Sequence, residues 1–312
     1  MKKCLLIVLI LTASQHVFGQ MDSVAVAADT IKPKKGIDTL WRSSAAFGIN
    51  FTNVGLNNWS GGGQNALSFT GVFVGSVAYH KNKVHWNNFL DLAYGLTRLG
   101  NSTPYRKSDD RMYFQTKFAY EQTSKLRYAA LADFRSQFAE GFNYYDKVKP
   151  DSSVKISNFL APAYVTASLG IEYLPFKSTS IIFSPLSAKY TIVDDAELSA
   201  QGAYGVAKGQ RLRKEYGVSL MLKYKADIMK NVTFATQLYL FDNYKNVNVD
   251  VFWDCFLYLK VNKYLTTTFT TNLIYDDDID ITRDNGTVGP ATQFKNVLAV
   301  GLVYKLNGYG VR

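Results

Sequence analysis

The sequence predicts an all-β fold, a transmembrane outer-membrane β-barrel of about twelve antiparallel strands. Three observations predict it. Apolar residues recur with a period of two over long stretches. The connections between those stretches alternate between short and long. Helical periodicity is nearly absent after Trp41.

Residues 247–261 show the period. Val247, Val249, Val251, Trp253, Cys255, Leu257 and Leu259 take the odd positions, while Asn248, Asp250, Asp254, Tyr258 and Lys260 fall on even ones. Side chains alternate across a strand, so one face is apolar and the other polar and aromatic. The same rule sets Leu265, Phe269, Leu273 and Tyr275 against Thr266, Thr268, Thr270 and Asn272. A soluble β-sandwich also alternates, but its strands usually run to about 5–6 residues. The stretches here are often twice that, and their polar face is rich in charge.

The expected strands are 43–53, 66–79, 84–99, 111–122, 126–139, 163–174, 178–192, 210–226, 230–241, 247–261, 263–275 and 294–306. Short connections at 80–83, 123–125, 175–177, 227–231 and 261–263 alternate with long ones at 53–65, 100–110, 141–162, 194–209, 242–246 and 276–293. Short periplasmic turns, long outer loops and an even strand number describe an outer-membrane barrel. Closure removes every sheet edge, as lipid requires. Tyr79, Trp86, Tyr94, Tyr173, Tyr224, Tyr275 and Tyr304 fall near strand ends, where an aromatic girdle belongs. Pro185 interrupts strand 178–192, and the apolar phase switches from Ile181 and Phe183 to Leu186 and Ala188, which predicts a β-bulge.

The first 19 residues read as a secretory signal. Lys2 and Lys3 precede an apolar run from Leu5 to Leu11 and a Val17-Phe18-Gly19 cleavage site. That run is shorter than the roughly 20 residues a membrane helix needs. Residues 20–40 follow neither period and read as a flexible periplasmic extension, with the barrel over 41–312. Without Lys2 and Lys3 the chain keeps 33 basic residues against 25 acidic ones, a net charge of +8. No basic run suggests a nucleic-acid partner. Cys255 remains alone, so no internal disulfide is expected.

The register points Arg111, Lys117, Arg127, Asp133, Arg135, Lys189, Arg211, Arg213, Glu215, Lys223, Asp250 and Asp254 into the lumen. Mixed charge there can line a narrow channel in which the excess of base favours anions. It can equally pair into a plug. In "GLNNWSGGGQNA", Trp59 precedes Gly61, Gly62 and Gly63, but these lead into a strand rather than the helix a phosphate loop needs. They are expected to turn the first outer loop. His80 and His85 lie at a short turn, away from any outer-leaflet nucleophile, so no catalytic residue and no cofactor is expected. Asp276, Asp278 and Asp280 are candidates for a loop-bound divalent cation, although the calcium-loop glycine and distal glutamate are missing.

The motifs "LNNWSGGGQNA", "YRKSDDR", "SQFAEGFNYY", "KISNFLAPAY", "SPLSAKYTIVDDAEL", "KADIMKNV" and "VNKYLTTTFTTNLIYDDDID" make Trp41 to Leu306 resemble an uncharacterised outer-membrane barrel family common in Bacteroidetes-type bacteria. The resemblance implies the barrel and brings no established activity. The expected function is a narrow channel or binding barrel for small polar solutes, with anions among the candidates. A non-conducting structural or assembly component is the alternative, and an outer-membrane lipid-acting enzyme ranks third. Expected partners are outer-membrane lipid, lipopolysaccharide and the barrel insertion machinery.

Overall fold

The computed structural model describes residues 40–55, 65–100, 104–143, 154–245, 248–282 and 287–310. The expected signal, the extension, Trp59 and Gly61 to Gly63 lie outside the described residues.

In chain order the strands are β1 (Trp41–Val54), β2 (Ala66–Lys81), β3 (Val84–Leu99), β4 (Arg106–Glu121), β5 (Leu126–Ser136), β6 (Gly141–Asn143), β7 (Val154–Ser157), β8 (Ala163–Tyr173) and β9 (Thr179–Ile192). They continue as β10 (Leu212–Met229), β11 (Val232–Asn243), β12 (Val249–Lys260), β13 (Leu265–Tyr275), β14 (Asp280–Thr282), β15 (Val288–Pro290) and β16 (Gln293–Gly310). Twelve of them close into one barrel, ordered β1-β16-β13-β12-β11-β10-β9-β8-β5-β4-β3-β2. These are the twelve expected strands, with ends shifted by a few residues. The closing pair is β1 with β16, so Phe47 lies between Phe73 on β2 and Tyr304 on β16. β6 pairs with β7 and β14 with β15 as small hairpins in the long connections.

The two faces separate as the alternation requires. Leu302 is 62% exposed and the next residue, Val303, only 4%. Phe47, Leu169, Phe183 and Leu298 likewise face outward. A continuous apolar wall of this kind belongs in hydrocarbon, not water. Among the described residues no helix is long and apolar enough to cross a membrane; the strands cross instead. At the short-turn rim Trp41 packs against Tyr79 and Trp86, with ring centroids 4.9 and 6.0 Å away, as part of a girdle.

The bulge expected at Pro185 is present. Gly217 pairs with Ser187 but Ser219 pairs with Ser184, so β9 carries an extra residue there. Gly217 also sits against the neighbouring strand, where a Cβ would come within 1.9 Å of the Asp242 carbonyl oxygen. Only glycine fits so close an approach.

Apolar side chains fill part of the interior. Ala129, Leu131, Ile182, Met221, Tyr239 and Phe241 form one apolar cluster inside the wall, and Ala46, Val72, Val74, Ala93 and Val303 form another. At the long-loop rim the chain adds a short helix, α1 (Ala196–Gln201), and a 3-10 turn over Ala203–Gly205. Ala161, Val193, Leu198 and Val206 give this cap its own small core.

Phe47 sits halfway along β1 on the outer face. Phe47→Arg should lower the unfolding free energy in bilayers by about 2–4 kcal/mol, the usual cost of a mid-plane arginine on a barrel's lipid face. Urea unfolding from lipid vesicles measures it, and an unchanged midpoint would contradict lipid contact.

Candidate functional site

Each inward charge comes from the polar phase of a strand, so its height is fixed by register. At the short-turn end lies a vestibule of about 590 Å³. Lys117, Lys223, Gln115 and Gln237 reach its floor. Beside it Lys117 pairs with Glu172 at 2.5 Å, and Arg127 bridges Glu172 at 3.9 Å and Glu121 at 3.3 Å.

The barrier stands above. Lys223 Nζ on β10 donates to Gln115 Oε1 on β4 at 2.8 Å. Three wall strands separate these two, so the bond crosses the lumen. Arg135 on β5 contacts Asp133 at 3.3 Å. Its guanidinium lies 4.9 Å from the Tyr113 ring centre and 5.8 Å from that of Phe252 on β12. The Phe252 contact also crosses the interior, and cation–π attraction strengthens where water is excluded. Arg111 pairs with Asp91 at 2.9 Å, and Asn272 donates to Asp254 at 2.6 Å. Beyond these groups the free space narrows to a cavity of about 90 Å³, lined by Tyr113, Arg135, Tyr164 and Lys189 among others.

In the cluster around Lys189, toward the long loops, acids outnumber bases. Lys189 contacts Asp250 at 2.5 Å, Asp276 at 3.2 Å and Glu215 at 3.5 Å. Arg213 bonds Glu215 at 2.7 Å and also pairs with Asp278. The candidate cation ligands are thus partly regrouped. Asp276 and Asp278 meet Asp250 and Asp277, with oxygens within 4.8 Å of one another, while Asp280 begins β14. Asp250 joins from a strand that pairs directly with β13, a proximity no local spacing reveals. Within this cluster the cationic groups at hand are the protein's own lysine and arginine.

Eleven of the twelve expected lumen charges face the interior; Arg211 does not. The expected strand began at 210, but β10 begins at Leu212. Arg211 therefore lies on the loop, 62% exposed, paired with Asp194 at 2.7 Å.

The cap was missed as structure. Its signal was nevertheless present: Asp195 opens α1 and Gly202 closes it in the left-handed region at φ 73°. Asp195 Oδ1 accepts from the Glu197 and Leu198 amides at 3.0 and 3.1 Å. Its Oδ2 accepts from Lys155 Nζ at 2.8 Å and Asn158 Nδ2 at 2.9 Å. One carboxylate therefore joins α1 to the strand β7. The Tyr204 hydroxyl adds a bond to the Ile156 carbonyl. The Lys155 ammonium, with the Asn158 and Leu198 donors, holds the Asp195 carboxyl well below the usual carboxylate range. Asp195 and Glu197 in turn push the Lys155 ammonium up to about 12.

A depressed carboxylate stabilises the fold above its ordinary value of 3.8 and loses that contribution as pH falls below it. Hydrogen-exchange protection of the Leu198 amide should therefore be full at neutral pH and fall in acid. Asp195→Ala should cost about 1 kcal/mol of cap stability, roughly a fivefold loss of protection at neutral pH. Unchanged protection in the variant would show that Asp195 does not hold the cap.

Residues 51–142 match the model of a family described as "Protein of unknown function (DUF3078)". This is a shorter stretch than the loop motifs imply. No curated protein matches the sequence. Among solved structures, the translocator domain of autotransporter NalP from Neisseria meningitidis is similar at 8% identity and TM-score 0.38, over 90% of this chain and 92% of that one. The COG4313 outer membrane channel from Pseudomonas putida F1 is similar at 9% identity and TM-score 0.38, over 88% and 100%. The Pseudomonas putida toluene transporter TodX is similar at 9% identity and TM-score 0.31, over 92% of each chain. The chain is a closed twelve-stranded β-barrel with an apolar outer wall, and its residues 51–142 match a family of unknown function.

Proposed function

We propose that this protein is a narrow barrel for small polar solutes, held closed at mid-height by its own lumen charges. The observation that carries the reading is the pair of contacts across the interior, Lys223 to Gln115 and Arg135 to Phe252, with free space on either side. Side chains on long stems close the path here. They can swing aside without disturbing the hydrogen-bonded wall, so passage requires rotamer changes and not unfolding. By the rule of short periplasmic turns, the vestibule opens to the periplasm and the capped rim faces outward.

A filled lumen also suits the second reading, a non-conducting structural component of the outer membrane. Planar-bilayer recording separates the two. The native barrel should be almost silent, and the double variant Arg135→Ala/Lys223→Ala should give discrete conductance steps. If the correctly folded double variant stays silent, the barrel does not conduct and the structural reading stands instead.

A further inference from the structure

The vestibule has a composition that its role as one half of a closed path does not require. Arg42 from β1, Lys117 from β4, Lys177 from the turn before β9, and Lys223 and Lys225 from β10 all line it. Among the described residues no carboxylate does. Glu172 stands beside the wall, where it accepts from Lys117 at 2.5 Å and from Ser180 at 2.7 Å and lies 3.9 Å from Arg127. At the other end of the barrel the balance reverses, for Lys189 alone meets three carboxylates. The lumen therefore holds an acid-rich cluster toward the long loops and a basic chamber toward the short turns.

Like charges gathered in a recess with low-dielectric walls focus a positive potential and concentrate anions there. The chamber's volume, about 590 Å³, is that of a small-molecule site. Its wall also offers neutral hydrogen-bonding groups, Asn87, Asn88, Ser178 and Thr179, among the cations. The cations stand on separate elements around the chamber. A monovalent ion cannot meet them together, whereas a solute with two or more anionic groups can bridge them.

We propose that this chamber is a binding site for a small soluble solute bearing at least two phosphate or carboxylate groups. The inference names the solute class for the closed barrel proposed above and rests on the reading that the lumen takes a solute. Charge-assisted hydrogen bonds from several lysines and an arginine supply the affinity. The neutral groups would orient the solute's uncharged part.

Isothermal titration of the purified barrel in uncharged detergent tests this, using pyrophosphate, citrate and spermidine. Pyrophosphate and citrate should bind and spermidine should not. Arg42→Gln/Lys177→Gln/Lys225→Gln should weaken both anions at least about tenfold, since it removes several charge-assisted bonds. Lys177 lies in a turn, so Lys177→Gln alone gives a measurable loss if the triple variant does not fold. Absence of dianion binding to the native barrel, or equal binding by native and triple-variant barrels, would overturn the proposal. Conductance is read separately. Conductance of the Arg135→Ala/Lys223→Ala variant together with absence of dianion binding to the native barrel overturns this inference alone. One that binds dianions yet never conducts overturns only the gate.

Discussion

Closing twelve strands on themselves satisfies the backbone in lipid but leaves an interior that must hold either water or matched charge. Everything else in the structure follows from how that interior is filled. An unpaired buried charge costs several kcal/mol, so the lumen of a narrow barrel cannot simply be polar. Here apolar clusters and ion pairs take up much of the volume and leave two cavities. Lys223 bonds a glutamine 108 residues away, and Lys189 reaches an aspartate 87 residues away. These contacts tie opposite walls together and close the path in the same stroke.

The same constraint explains the polarity along the axis. Paired charges near mid-height are matched because water is scarce there. Away from mid-height the cluster around Lys189 is acid-rich, and the chamber toward the short turns is lined by bases. The outer rim gathers Asp250, Asp276, Asp277 and Asp278 around Lys189 and Arg213. The inner chamber gathers lysines. A cap held by Asp195 and Lys155 covers part of the outer rim. From the short-turn side the lumen therefore presents a basic chamber first, and then a barrier built from groups on flexible stems.

The wall was legible in the sequence because lipid imposes a period of two on every strand, and nothing else in the chain competes with it. Leu265, Phe269, Leu273 and Tyr275 could be assigned to one face from spacing alone, and the Pro185 bulge from a phase switch. Contacts across the lumen were not legible. They depend on strand order and stagger, which bring Arg135 to Phe252 and Asp250 to Asp276 without any local pattern. Arg211 was misplaced because a periodic pattern runs smoothly past a strand end, and the end itself is set by the loop that follows Asp194. The helix over Ala196–Gln201 is six residues long, too short for periodicity to register; only its capping residues marked it.

The central claim is that side chains close the lumen between the two cavities. Thiol accessibility tests it most directly, in a Cys255→Ser background. Ser178→Cys places a thiol in the inner chamber, and Thr166→Cys places one in the smaller cavity beyond the barrier. A charged, membrane-impermeant thiol reagent added at the short-turn side should label Ser178→Cys readily and Thr166→Cys hardly at all. Equal labelling of the two from that side would show a continuous water path and contradict a closed barrel.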